Sequence, residues 1–397
     1  MASSSVSRFL DAGIPSDMEM GHLFHPSKIR VDKLSLRRLA PRIDQILFNN
    51  VQDLKEGLAN SGDEVLSFIF LRQQDTWDYI QLSDQAFVYL MRTCQVFTPF
   101  WDLVRGFGIK FESKDENIVG LKSKLSAGRS ELCYNVRYFE KHNRPGTKAI
   151  WSERQVALYH TFDLDDQSSL WIIIQPSKSM ELKLQSCVHD IKDFDLLPSD
   201  HLDIHALFVS VLASNWRSYI NYLEDQLSEV DEKALNSSVG TPCRLDYTVT
   251  FRDVQDLELI RRKLLKAALI LASNADVGRS LNAHIGKVAQ ALQKSEIPSS
   301  HEVLDQFAAD LEMHAKVVTL LLEKVRGTKH RHEEISLTTS VAIRNDGSQI
   351  RKLTEQATTA SNLMTGLTRK MRNDSKFMKI ITFLALLYAP ASLAAVR

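Results

Sequence analysis

The sequence predicts an α/β domain followed by a run of long helices, on three observations. Short segments rich in β-branched and aromatic residues alternate with helical ones between residues 65 and 175. Beyond Pro198 the apolar residues recur every three or four positions, the spacing of one helix face. The last stretch, 380–396, holds 17 residues without a charge. Strands interspersed with helices fit an α/β or an α+β domain, here ending near residue 200.

Composition sets the outer bounds. The chain has 397 residues, 44% hydrophobic and 25% charged, with Lys+Arg and Asp+Glu both at 49. A net charge of zero excludes a polybasic nucleic-acid binder, and the mix excludes a disordered or collagen-like chain. The length suffices for two or three domains. Cys94, Cys133, Cys187 and Cys243 lie far apart with no CxxC pair. Reduced thiols are therefore expected. The first 20 residues hold no apolar run long enough for a signal peptide, and their Ser-rich start reads as a disordered tail. The chain is thus expected to begin in the cytosol.

The elements follow in order. One helix is expected over 42–58, then a break at Gly62. Residues 65–72 (VLSFIFLR) are too short and too apolar for a surface helix and read as a buried strand. Residues 84–93 read as a helix. The segment 97–111, broken by Pro99, Gly106 and Gly108, reads as a short helix and a turn or strand. Strands are expected over 132–139, 155–162 and 169–175, with turns at 143–146 and 163–167. Phe208, Leu212, Trp216, Tyr219 and Leu223 mark one amphipathic helix, and 237–242 a break. Val254 to Leu271 mark a second helix and Leu304 to Val325 a third. Ile350, Leu353, Ala357, Ala360, Leu363, Leu367 and Met371 mark a fourth, running without proline into the apolar tail. Over 348–389 such a helix is about 63 Å long, a stalk or coiled coil.

The tail reads as membrane-seeking. The uncharged run spans roughly 25 Å, and about 30 Å if it starts at Phe377 with Lys379 snorkelling. A buried core helix is the alternative for an apolar run of this length. Arg369, Lys370, Arg372, Lys376 and Lys379, against Asp374 alone, precede it. That excess of bases places the bulk of the chain on the cytoplasmic side.

Other motifs are weaker. Gly106-Phe-Gly108 lacks the rest of a phosphate loop. His201 and His205, in HLDIH, share a helix face as a zinc site needs, without the glutamate of a metalloprotease. Asp190, Asp193, Asp195, Asp200 and Asp203 lack the order of a calcium loop and read as a solvated acidic loop. The basic stretch 326–332 suits a helix end, and no aromatic residues accompany it as in a nucleic-acid surface. No Ser/His/Asp or Cys/His arrangement stands out, so no enzyme is expected.

The segment 375–382 (SKFMKIIT), with Pro390 eight residues after Thr382, resembles the first membrane helix of the CorA family of divalent-cation channels. That family shows Met-Lys-x-x-Thr, a proline at this interval, then Gly-Met-Asn. ELCYNVRY (131–138), WSERQVALYH (151–160), residues 171–177, and Asn215-Trp216-Arg217 with Tyr219 resemble the cytosolic region of CorA-like proteins of filamentous fungi. The resemblance covers the chain from about residue 60 onward. It implies an N-terminal tail and helix (1–60), a CorA-like cytosolic α/β domain (61–200), and a helical region containing a hairpin (201–332). A long stalk helix (333–376) and a transmembrane-type helix (377–396) complete the expected order.

The same resemblance implies a homo-oligomer, a pentamer around a central pore, with residues 1–376 cytoplasmic. It implies Ser375, Met378, Ile381, Ala389 and Ser392 as pore-facing, Met378 and Ile381 forming an apolar constriction that gates by dewetting. Spacing alone does not separate a pore face from a packing face. It also implies Mg²⁺ as transported or regulatory ion and no other cofactor. Asn345-Asp346-Gly347 read alone is a turn starting a new helix at Ser348. Through the family it lies inside one long kinked stalk, the expectation adopted here. The sequence stops at Arg397, short of the place for Gly-Met-Asn and a second membrane helix. The expectation is a membrane-associated relative of magnesium and divalent metal ion transporters, incomplete as a channel. The alternative is a soluble or singly anchored protein-interaction module that keeps the cytosolic fold without transport.

Overall fold

The structure is a computed structural model that describes residues 20–38, 43–110, 120–126, 128–142, 150–194, 200–237, 249–293 and 300–394. For 190–194, 200, 201 and 386–394 it describes the backbone alone. The chain divides into two units. One comprises Met1–Ser228 and Leu257–Arg326, the other Glu229–Asp256 and Gly327–Arg397.

The first unit is built on a mixed sheet. Its strands are β1 (Val31–Arg37), β2 (Ile43–Phe48), β3 (Glu64–Leu71), β4 (Lys122–Ser126), β5 (Arg129–Lys141), β6 (Trp151–Asp163) and β7 (Ser169–Ile174). Their order is β2-β1-β3-β7-β6-β5-β4. All neighbours are antiparallel except β3 and β7, which run parallel. A parallel pair needs a long crossover. Helices α1 (Val51–Ala59), α2 (Asp84–Thr93) and α3 (Phe100–Val104) supply apolar cover.

Register sorts the side chains between the two faces. One face carries Ile69, Ile172, Tyr159 and Cys133 in a row of cross-strand partners. They join Leu54, Phe87, Leu90, Phe100 and Leu103 of α1–α3 in one buried cluster. The other face carries Phe68, Trp171 and His160. Against it pack α5 (Asp200–Ala213) and α7 (Phe251–Ala291). Phe208 stacks on Trp171 at 5.7 Å, and Asn274 donates to the Arg137 carbonyl oxygen at 2.7 Å. Helices on both faces explain why β3 and β7 read as nearly continuous apolar runs. α4 (Lys178–Phe194) follows β7, and its Glu181 pairs with Arg72 at the end of β3.

The second unit takes the end of α6 (Trp216–Leu235), the start of α7 and most of α8 (Ser300–Ala394). Asp231 accepts from Thr328 at 2.6 Å and pairs with Arg331. Lys233 pairs with Asp253 at 2.8 Å. Burial pushes the Asp253 carboxyl up, but the hydrogen bonds from Lys233 and Thr250 outweigh it and hold the group at about 2. The part of α8 in this unit is roughly 100 Å long at 1.5 Å per residue.

Several expectations need correction. The helix expected over 42–58 is strand β2 followed by α1, which starts after an Asn50 cap accepting from the Asp53 amide. β1 was not foreseen, because buried Lys33 and Ser35 interrupt its apolar run. β4 was not foreseen either: it is an edge strand exposed at every position. The single helix through Phe208 and Leu223 is two, α5 and α6, broken at Ser214 and Asn215. There the Ser214 hydroxyl turns back to the Val211 carbonyl, and the Asn215 carbonyl accepts the Tyr219 amide. Short polar side chains compete with the helix in this way. The acidic loop is in part helical, since α4 reaches Phe194 and α5 starts at Asp200; Asp195 lies outside the described residues.

Conversely, α8 is one helix of 95 residues where separate third and fourth helices were expected. It runs through Asn345, Asp346 and Gly347, and Ser348 bonds back to the Asn345 carbonyl at 2.7 Å instead of capping a new start. Poor helix formers cost about 1 kcal/mol each, and no proline stands in the way before Pro390.

Candidate pore-facing helix

The candidate site lies on α8. Leu353, Ala357, Ala360, Met364, Leu367, Met371, Met378 and Ile381 continue a stripe spaced by threes and fours, interrupted by Asp374. That is the 3.5-residue period of a coiled-coil seam. These large side chains are open: Met364 is 69% exposed, Leu367 59%, Met378 64% and Ile381 59%. Every side chain described from Ile343 to Ala385 is exposed. The hydroxyls along the helix are satisfied within it. Thr354, Thr358, Thr365, Thr368 and Thr382 each bond the carbonyl four residues back at 2.7–2.8 Å. Such back-bonding leaves these hydroxyls without need of an outside partner.

Of the five positions expected to face a pore, Ser375, Met378 and Ile381 are exposed on the helix. Met378 and Ile381 extend the stripe. Ala389 and Ser392 lie on the same helix, but their side chains fall outside the described residues. So does most of the uncharged run 380–396. Among the described residues no helix is long and apolar enough to cross a membrane. Arg369, Lys370, Arg372, Lys376 and Lys379 are all exposed.

The remaining sequence candidates are taken up by structure. His205 is fully buried and both its ring nitrogens are engaged, with the Tyr134 hydroxyl at 3.0 Å and His160 at 2.9 Å. His160 in turn meets Ser169 at 2.8 Å, which also accepts from the Trp171 indole at 3.0 Å. Burial, then His284, holds the His205 imidazole well below its ordinary range, so it is neutral. Burial pushes the Tyr134 phenol up. A zinc reading for HLDIH therefore fails at His205, and the side chain of His201 is outside the described residues. Among the described residues no group of three His, Cys, Asp or Glu could hold a metal ion.

In the basic stretch, Arg326 pairs with Glu323, Arg331 with Asp231, and His332 meets the Val230 carbonyl at 3.2 Å. Gly106 and Gly108 serve packing. The Gly106 carbonyl accepts from Gln155 at 2.6 Å; Gly108 has φ +93°, and a Cβ there would strike the His22 carbonyl. Cys94 and Cys133 carry free thiols, and Cys243 lies outside the described residues. The chain of Tyr134, His205, His160, Ser169 and Trp171 escaped sequence reasoning. Its signal was present in the alternation of β5–β7, which sets Tyr134, His160 and Trp171 on one face.

The family model described as CorA-like transporters matches residues 16–235. Among solved structures, the chain is similar to the complete CorA magnesium transporter from Methanocaldococcus jannaschii. That match has 11% identity, covers 82% of this chain and 81% of that one, and has a TM-score of 0.46. It is also similar to the soluble domain of CorA from the same organism, at 13% identity, 77% and 97% coverage and TM-score 0.45. For the ZntB cytoplasmic domain from Vibrio parahaemolyticus RIMD 2210633 the values are 8%, 81%, 100% and 0.39. No curated protein matches the chain.

Proposed function

The chain belongs to the CorA-like transporter family, and from that premise we propose a membrane-associated relative of the divalent-cation transporters, assembled as a homo-oligomer through α8. The family is one of transporters, not of enzymes. The observation that carries the proposal is the exposed apolar stripe from Leu353 to Ile381. A helix this long, with apolar side chains in water, gains nothing from its own chain. Burying the stripe between copies returns roughly 25 cal/mol per Å². By resemblance to the family and to its fungal-type members, the ring is read as a pentamer. Ser375, Met378, Ile381, Ala389 and Ser392 then face its axis, and Mg²⁺ is the transported or regulatory ion. The bases before the uncharged run put residues 1–376 on the cytoplasmic side, with 377–396 in the membrane.

Carbonate extraction tests the membrane part. The full chain is expected to stay with the membrane pellet, and a version ending at Lys376 to leave it. Both versions in the soluble fraction would contradict the proposal and favour an interaction module that keeps the fold without the membrane.

A further inference from the structure

We infer that a pocket on the α1–α3 face of the sheet binds a small zwitterion of the free amino-acid class. The pocket has a volume of about 290 Å³, and its polar lining includes Lys33, Glu64, Ser67, Arg129, Thr161 and Asp163. Strand register brings them together: Ser67 stands opposite Leu170, Leu170 opposite Thr161, and Arg129 opposite Asp163. Neighbouring strands are about 4.8 Å apart, so the groups span a few strands of one face.

The site is built, not incidental. The Lys33 and Glu64 side chains are 2% and 7% exposed and pair at 2.7 Å. Lys33 also donates to Ser61 at 2.7 Å and to the Gly57 carbonyl at 3.4 Å, which fixes it in the wall. The Arg129 guanidinium is clamped by Thr161 at 2.8 Å, Gln95 at 3.2 Å, Tyr159 at 3.3 Å and the Cys94 carbonyl at 3.4 Å. One of its five N–H groups, on Nη1, keeps no acceptor among the described residues. The Ser67 hydroxyl is buried, lines the pocket and has no hydrogen-bond partner. Buried hydroxyls are rarely left so, and an orphan in a pocket wall points to a ligand.

The lining selects the ligand class. Lys33 is paired with Glu64 and Arg129 meets Glu131 at 3.5 Å, while Asp163 lines the same pocket, so a bare anion is not favoured. No group of three metal-ligating side chains is present among the described residues. No aromatic ring lines the pocket to stack a base or a sugar. A molecule carrying both charges fits: its carboxylate takes the free Arg129 N–H and the Ser67 hydroxyl. Its ammonium takes Asp163, whose Oδ1 already accepts from the Asp165 and Asp166 amides at 2.9 and 3.1 Å, leaving Oδ2. The volume admits about ten non-hydrogen atoms.

The test uses the full chain and the free L-amino acids at millimolar concentration, read by saturation-transfer NMR and by melting temperature. At least one amino acid is expected to bind saturably. Ser67→Ala should weaken it about tenfold while the ligand-free melting temperature stays or rises, because the hydroxyl has no protein partner. Ser35→Ala is the control. Ser35 faces Ser67 across β1 and β3 and is equally unpartnered, but does not line the pocket, so binding should not change. Absence of binding by every amino acid would overturn the inference, as would equal weakening by both variants. Saturable binding of inorganic phosphate or Mg²⁺ that depends on Ser67 would overturn the ligand class. None of these results bears on α8.

Discussion

The sheet unit and the α8 stretch of the second unit put large apolar side chains to opposite ends. In the sheet unit Trp171, Phe68, Tyr134 and Ile172 are almost wholly buried, and polar groups among them are paired in a chain through His205 and His160. Along α8 Leu353, Leu363, Met364 and Leu367 are exposed, each by more than half. The first region closes its own account with water inside one chain. The second leaves a 3.5-residue stripe that only another surface can cover. A core face and an uncovered face can thus be told apart by exposure, even where their hydrophobic periodicity is similar.

The comparison can be broken by truncation. Trp171→Ala should cost about 3–5 kcal/mol of stability in the sheet unit, since it opens a cavity beneath Phe68, His160 and Phe208. Leu367→Ala should leave the melting of that unit unchanged. Chemical denaturation of both variants decides, and equal losses would place the stripe in a core. A smaller effect comes from His205→Leu, which removes a partner of Tyr134 and His160 and should cost about 2–3 kcal/mol.

Acid should act on the same region. Burial, then Lys287, pushes the His284 imidazole down to about 4, and burial lowers His205 as well. Both are neutral in the fold, while the unfolded chain binds protons below about pH 6.5. The stability they contribute is therefore present above pH 6.5 and lost as pH falls toward 4. From pH 7 to 5 the two together should cost the sheet unit on the order of 3–4 kcal/mol, read as a falling denaturation midpoint. A midpoint that rises would contradict neutral burial. The smallest effect is Gly366→Ala. The glycine has open space around it on α8, so alanine should gain up to about 1 kcal/mol of helix stability. Hydrogen exchange should slow along α8 and stay unchanged in the sheet.

Sequence made the central sheet and the helices legible unevenly. β3 and β7 were readable because both their faces are buried and their apolar runs are long, and β5 and β6 because apolar and aromatic residues are dense in their middles. α2 spans 84–93 as read, and Ser83 caps it, accepting from the Ala86 amide. β1 was lost to the two polar residues that it turns toward the pocket face, Lys33 and Ser35. The stripe on α8 was visible as periodicity, but its exposure was not, because a core face and an interface share one spacing.

The mass of the full chain in detergent, measured by light scattering, tests the central claim most directly. The stripe as an interface between copies predicts an oligomer for the natural sequence. It also predicts a lower mass for the double variant Leu353→Glu, Leu367→Glu, with the sheet unit still folded by its melting temperature. An unchanged mass for that variant, or a natural chain that is already monomeric, would contradict the account.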